Sequence, residues 1–301
     1  MMPLKIEILE NEGSSYDITV LGIGNAGKEA VRKYPCPAYG ENHWAIQTLT
    51  LCDDDAFQHK RYPKITTPKD SPYYLAECRQ KICEVVNNSD ILFVIADISK
   101  DPDYENAFRF ANLHHSESEK KWNVLIDCSE GSSFSELILS SVFDLILSYP
   151  STSKTYRPIE MLLSDMYTQF VGLDFADVKA IVDSTPKMKF FEERVNSSEK
   201  VKEAILRFDE EVKKDKWGDA VFNALLYFSI PHSGGLEIVE GSYDILESSS
   251  INGNVVVQFA FNAEDDDETI SISLMCGREC IKDNGTQDVE NGSAKEYCVK
   301  F

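Results

Sequence analysis

Short apolar runs alternate with segments of helical periodicity along the first half of the chain. The apolar runs predict strands at residues 16–24, 44–55, 90–97, 122–129 and 144–150. Between them, apolar residues three or four positions apart predict helices at residues 27–34, 73–89, 104–115 and 133–143. Strands that are apolar on both faces and alternate with helices indicate a parallel sheet covered on both sides. We therefore predict an α/β domain whose ligands would bind beyond the carboxyl ends of the strands.

The pattern changes after Pro150. One long helix is predicted at residues 153–173 and a charged helix at residues 197–215, followed by strands at residues 220–230, 235–246, 254–262 and 269–277. This order predicts a smaller α+β domain joined to the first domain by a long central helix. The predicted boundaries are residues 1–154 for the first domain, 155–177 for the central helix and its following loop, 178–280 for the second domain, and 281–301 for a polar tail.

Charge and cysteine usage narrow the function classes. The 301 residues carry a formal net charge of -21, which argues against nucleic acid and against an anionic membrane surface. There is no apolar run of membrane-spanning length and no signal-peptide pattern, so we expect a cytoplasmic protein. The eight scattered cysteines predict reduced, buried thiols. Cys276 and Cys280 have no second ligand pair at zinc-like spacing, so we expect no metal there.

Three glycines, Gly22, Gly24 and Gly27, follow the first predicted strand. Glycines before a helix let the backbone approach an anion at the helix N-terminus. The residues alone leave three interpretations open. The spacing fits a dinucleotide fingerprint, with an acid among residues 53–55 on the ribose. It fits part of a P-loop, although Glu29 stands where magnesium needs a hydroxyl. It also fits the first phosphate contact of a tubulin-like nucleotide domain.

Two carboxylates, Asp174 and Asp177, follow the predicted long helix. At helical spacing, side chains three residues apart project to one side, where they can jointly orient a water molecule or a cation. Acids at the start of a helix are also favoured by the helix dipole alone.

The order of these motifs resembles the FtsZ/tubulin superfamily. Residues 172–182, GLDFADVKAIV, resemble the catalytic loop of FtsZ, whose pattern is Asn-x-Asp-Phe-Ala-Asp-Val. GIGNAG resembles the first glycine loop, and TLCDDDAFQ resembles the segment after the second strand. DILFVIAD resembles the strand before the family's signature phosphate loop, and SEKVKEAILRFDEE resembles the charged helix of the C-terminal domain. The resemblance spans roughly residues 16–280.

The resemblance implies a GTPase-type domain, a central helix and a second domain, in subunits that form cytoskeletal filaments such as those of cell division. It implies GTP or GDP contacts at Gly22, Gly24, Asn25, Gly27 and Asp54, and we add Lys100 as a candidate contact from the segment that follows the third strand. It also implies that Asp174 and Asp177 act on the pocket of a neighbouring subunit, packed head to tail. The partner would be a second copy of this chain or another FtsZ/tubulin-like subunit.

Three departures from the family pattern change this expectation. The glycine-rich phosphate loop is replaced by residues 98–108, ISKDPDYENAF, which contain no glycine and several acids. Pro102 in this segment has no N–H to donate to a phosphate. The family's pocket Asn is missing from residues 148–154, and Gly172 replaces the Asn of the catalytic loop. We therefore expect an assembly or scaffold protein with weakened or lost GTP binding, which assembles through its Asp174/Asp177 face.

Two enzyme alternatives remain from the residues. The first is a slow GTPase that forms GTP-dependent filaments, with a phosphate loop rebuilt from Ser99 and Lys100 and a further cation from Lys28. The second is a nicotinamide-dependent oxidoreductase. The five histidines form no catalytic group in the sequence, and His114 and His115 are expected to be solvated on a polar loop.

Overall fold

The computed structural model describes residues 16–33, 45–51, 70–115, 121–130, 139, 141–150, 157–163, 175–214, 222–231, 233–234, 238, 242, 245, 249, 251, 254–261 and 268–278. The segment with Asp54, most of the predicted central helix, Asp174 and the predicted polar tail lie outside the described residues.

Five parallel strands build the first part of the sheet. They are β1 (Asp17–Ile23), β2 (Ala45–Leu51), β3 (Ile91–Ala96), β4 (Trp122–Asp127) and β5 (Leu145–Ser148). Every residue of β3 and β4 is buried, which explains why these strands are apolar nearly throughout. The predicted parallel sheet is therefore confirmed.

Four further strands extend the same sheet. They are β6 (Lys187–Val195), β7 (Phe222–Ile230), β8 (Asn254–Phe261) and β9 (Ile270–Arg278). Within the described residues the strand order is β2-β1-β3-β4-β5-β6-β9-β7-β8, with β9 antiparallel to both of its neighbours. β5 and β6 are parallel and pair residues 146–148 with residues 187–189. The two predicted domains thus share one nine-stranded sheet, and their boundary stays a prediction.

Helices cover the sheet. They are α1 (Gly24–Lys33), α2 (Tyr74–Asn88), α3 (Asp101–His115), α4 (Arg157–Leu162), α5 (Phe175–Ser184) and α6 (Ser198–Lys214). α6 shows why such sequences form amphipathic helices: Val201, Ile205, Phe208 and Val212 are buried at helical spacing. One apolar cluster joins α1, α4 and α5 to the sheet, a second joins α2 and α3, and a third lies beneath α6. The mixed α/β fold predicted from the sequence is confirmed.

Two sequence-based predictions of structure need correction. β6 was not predicted, because its FFEERV segment places charged residues in the strand and only part of it is buried. The strand predicted at residues 235–246 is wrong, since the described residues Ile238, Ser242 and Ile245 are helical. Their spacing of four and three is that of a helix face, and the Ser242 hydroxyl donates to the Ile238 carbonyl at 3.4 Å.

The expectation of a solvated His114 is also wrong. His114 lies in α3 and is fully buried, whereas His115 is exposed. Its Nε2 lies 2.8 Å from the Ser89 carbonyl, and its Nδ1 pairs with Oδ1 of Asn123. Burial lowers the pKa of His114, against the opposing effect of these two hydrogen bonds. The residue belongs to a buried polar network that links α3, β4 and the end of α2.

The cysteine prediction can be compared with the structure at four positions. Cys78, Cys83, Cys128 and Cys276 are free thiols, and all but Cys83 are buried. No metal-binding group of His, Cys, Asp or Glu is found among the described residues. Within the same part of the chain, no helix has the length and apolar character required to cross a membrane.

Candidate functional site

The candidate site lies at the carboxyl ends of β1, β3 and β4. β1 ends at Ile23, and α1 begins at the next residue, Gly24, whose φ of 66° is a left-handed conformation that favours glycine. β1 and β3 are neighbours, with Gly22 opposite Ile95. The glycine segment therefore lies beside the turn that joins β3 to α3.

Close backbone packing explains the other two glycines. A Cβ atom on Gly22 would lie less than 3.0 Å from the carbonyl of Gly27. One on Gly27 would lie less than 3.0 Å from the carbonyl of Ile95 in β3. Real Cβ atoms essentially never approach so closely. Gly22 and Gly27 therefore allow α1 to pack directly on the sheet, and this role needs no ligand.

Gly24 faces a carboxylate from α3. A Cβ atom on Gly24 would lie less than 3.0 Å from Cγ and from both carboxylate oxygens of Asp103. Asp103 lies in the first turn of α3 and is partly buried. The Asp103 carboxylate therefore occupies the space beside the first residue of α1.

In the turn between β3 and α3, residues 97–100, Lys100 is paired with Asp97. Lys100 Nζ forms a 2.8 Å ion pair with Oδ2 of Asp97, and the Ser99 hydroxyl donates to Oδ1 of Asp97 at 2.5 Å. Burial opposes the charge of Asp97, but the hydrogen bonds from Lys100 and Ser99 outweigh it and hold the pKa of Asp97 below its usual value. The hydrogen bond from Lys100 to Asp97 in turn raises the pKa of Lys100.

Asp127 closes the end of β4. Its side chain is fully buried and accepts hydrogen bonds from Ser129 N at 2.9 Å, Ser129 Oγ at 2.7 Å and Ile98 N at 3.4 Å. Burial raises the pKa of Asp127 despite these donors. Burial also raises the pKa of the neighbouring Cys128 to about 12, so this thiol is not a nucleophile at neutral pH. Asp127 thus fixes the β3–α3 turn against the end of β4.

The structure brings five of the eight predicted site residues to this edge of the sheet. They are Gly22, Gly24, Asn25, Gly27 and Lys100, with Asn25 exposed in the first turn of α1. Asp177 lies in the first turn of α5, and its side chain is not among the described ones. Asp54 and Asp174 lie outside the described residues. The predicted roles of all eight residues stay predictions.

Sequence reasoning missed Asp97 and Asp127 as parts of this site. Both were visible as acids that end an apolar strand, the position at which parallel sheets place polar groups at one edge. What the sequence did not show is that the two acids accept hydrogen bonds from the turn itself, Asp97 from Ser99 and Asp127 from Ile98.

We expect the Lys100–Asp97 pair to stabilise the chain only slightly, because 56% of the Lys100 side chain is exposed. Lys100→Met should lower the free energy of unfolding by about 0.5 kcal/mol at neutral pH. The folded pKa of Asp97 lies below its ordinary value of 3.8, so this contribution is present above that value and is lost as the pH falls through the folded pKa. Urea unfolding of both proteins at about pH 7 and about pH 3 measures the difference.

Lys33→Met is the control for this pair, because Lys33 forms an exposed ion pair with Glu29 on α1. A Lys100→Met cost that stays constant as the pH falls would contradict the assigned pairing.

The strand order and the glycine-bearing β1–α1 junction define an FtsZ/tubulin-like fold. Solved structures with this fold match most of the chain. An empty FtsZ dimer from M. jannaschii has a TM-score of 0.61 and 16% identity, with 92% of this chain and 96% of that chain covered. CetZ from Methanosaeta thermophila has a TM-score of 0.55 and 12% identity, covering 86% of this chain and 85% of that one.

TubZ of Bacillus thuringiensis serovar israelensis, solved as GDP-form protofilaments, has a TM-score of 0.55 and 10% identity. The match covers 87% of this chain and 85% of TubZ. No protein-family model matches the sequence, and no curated protein matches it significantly. The likeness therefore establishes the fold, and the resemblance predicted from the motifs is confirmed at that level.

Proposed function

We propose that this chain is a divergent FtsZ/tubulin-like assembly or scaffold protein with weakened or lost GTP binding. Its subunits pack head to tail, against further copies of the chain or against another FtsZ/tubulin-like subunit, through the face that carries Asp174 and Asp177. The observation that carries the first half of the proposal is the position of the Asp103 carboxylate against Gly24.

Charge at the β3–α3 turn supports weakened nucleotide binding. The first turn of α3 contains Asp101 and Asp103, at the place where the family has a glycine-rich phosphate loop. Two like charges about 4 Å apart near a protein surface repel by about 4 kcal/mol, which corresponds to roughly a thousandfold in affinity. Lys100 offsets these acids only in part, because its ammonium group is paired with Asp97 and also feels the charge of Asp103. The turn is thus a poor fit for a triphosphate.

The assembly half of the proposal has separate support. Among the structures with this fold, the FtsZ is a dimer and the TubZ forms protofilaments. The second part of the sheet, β6 to β9, continues the first part through the β5–β6 pair, and α5 packs Val178 and Val182 into the core. α5, which carries most of the segment resembling the family's catalytic loop, is therefore anchored to the core through these two valines.

Nucleotide binding is tested on the purified protein. Denaturation should release no GTP or GDP, and calorimetric titration should give a Kd weaker than about 1 mM for both. The proposed weakening of GTP binding would be refuted by micromolar binding that Gly24→Glu abolishes. The control Lys33→Glu, on the last turn of α1, should keep that binding. Phosphate release from GTP by the same sample would then favour the slow GTPase.

Assembly is tested by sedimentation velocity with and without GTP. We expect concentration-dependent assembly that GTP does not change, and its loss in the double variant Asp174→Ala/Asp177→Ala. Asp183→Ala is the matched control, because Asp183 is an exposed acid on the same helix α5. A protein that stays monomeric alone and in a mixture with an FtsZ would refute the proposed interface.

A further inference from the structure

Two helix N-termini converge at the candidate site. α1 begins directly after β1, and α3 begins after a four-residue turn that follows the neighbouring parallel strand β3. The N–H groups of the first turn of each helix have no partner within their own helix. Each N-terminus also carries about half a positive charge from the helix dipole. Two such ends side by side favour an anion between them.

Acidic side chains are present in the first turn of only one of these two helices. The first turn of α1, Gly24 to Gly27, contains no acid, whereas the first turn of α3 contains Asp101 and Asp103. Asp101 is exposed, but the Asp103 carboxylate lies against the backbone of Gly24. One carboxylate therefore stands at the N-terminal ends of both helices.

Gly24 is the residue of α1 that the Asp103 carboxylate contacts. A Cβ atom at this position would force the Asp103 carboxylate, which is the movable end of a side chain, to shift. The positive φ of Gly24 also disfavours other residues. Because Gly24 has no side chain, the Asp103 carboxylate lies directly against the backbone at the start of α1.

We propose that Asp103 is a built-in anion that occupies the N-terminal end of α1 and closes it to external phosphate groups, an autoinhibitory contact. This proposal rests on the proposed loss of GTP binding and names the group that causes it. With Asp103 in this position, the junction between β1 and α1 needs no bound nucleotide to be complete. The subunit therefore keeps this edge of the sheet ordered whether or not nucleotide is present.

The test compares two variants at one position with a neighbouring control. Asp103→Ala removes the charge and opens the space, and Asp103→Asn removes the charge and keeps the volume. Asp101→Asn removes an exposed acid from the same turn. Thermal unfolding is followed with and without about 10 mM pyrophosphate, against sodium chloride at equal ionic strength.

We expect both Asp103 variants to have a Tm about 2–4 °C below that of Asp101→Asn. Pyrophosphate should raise the Tm of Asp103→Ala by about 2–4 °C and leave the parent protein unchanged. Asp103→Asn should gain less than half as much, because the amide still fills the space. If Asp103→Ala does not fold, the comparison of Asp103→Asn with Asp101→Asn decides alone.

Equal Tm values for Asp103→Asn and Asp101→Asn would overturn the proposal. So would a pyrophosphate effect of the same size in the parent protein and in Asp103→Ala. Titration with GTP distinguishes failure of the role proposed for Asp103 from failure of the proposed function. If the parent protein binds GTP at micromolar concentration, the proposed function fails. The role of Asp103 then stands if Asp103→Ala binds GTP at least about tenfold more tightly, and falls if its affinity is unchanged.

Discussion

Replacing Gly27 by alanine is expected to lower the free energy of unfolding by about 3 kcal/mol. The added methyl group would collide with the carbonyl of Ile95 and with the backbone of Gly22, and neither group is the movable end of a side chain. α1 would have to move away from β3, opening the core that Ala30 and Val31 help to fill. Urea unfolding followed by circular dichroism measures the change.

Lys33→Ala is the control on the same helix, because Lys33 is exposed and forms only a surface ion pair with Glu29. It should cost no more than about 0.5 kcal/mol. If Gly27→Ala were as stable as Lys33→Ala, the glycine would not be needed for packing, and its retention would point to a ligand instead.

Asn123→Leu is expected to cost about 3–5 kcal/mol, a large part of the stability of a typical domain. The Asn123 amide donates to the carbonyls of Ala111 at 3.0 Å and Val142 at 2.7 Å. Its Oδ1 pairs with the buried His114 ring. Leucine has a similar volume but leaves all three groups buried without this partner, and each loss costs about 1–3 kcal/mol. Chemical denaturation measures the total.

The double variant Asn123→Leu/His114→Leu isolates the contact between the two side chains. It removes the stranded imidazole, so it should be less destabilised than the sum of the two single variants. Asn106→Ala is the matched control, because Asn106 makes one local hydrogen bond to Pro102 at 2.8 Å and is only partly buried. Strict additivity of the two single variants would mean that the side chains are not coupled.

The sequence revealed the first part of the sheet because its strands are buried on both faces. Strands β3 and β4 are buried at every position, so β3 is apolar throughout and β4 is polar only at Asn123 and Asp127. β6 breaks the rule, since its central residues are only partly buried and tolerate charge. At residues 235–246, the β-branched residues resembled a strand, although Ile238 and Ile245 also fit one face of a helix.

The candidate site was predicted less completely than the fold. The glycine spacing showed that the backbone comes close to another group after β1, but it did not show which group. For Gly27 the neighbour is a carbonyl of β3, and for Gly24 it is the carboxylate of Asp103, almost eighty residues later in the chain. Contacts between distant segments depend on how helices are placed on the sheet, and one sequence does not reveal that placement.

The sheet that spans both parts of the chain is not equally strong along its width. β6 and β9 pair over eight residues, whereas β5 and β6 pair over three. A pulling force that acts across the strands breaks their backbone hydrogen bonds one after another, so the shortest ladder yields at the lowest force. Pulled apart across its strands, the described sheet would open first between β5 and β6. The strands on the two sides of the β5–β6 pair would then separate as two intact sets.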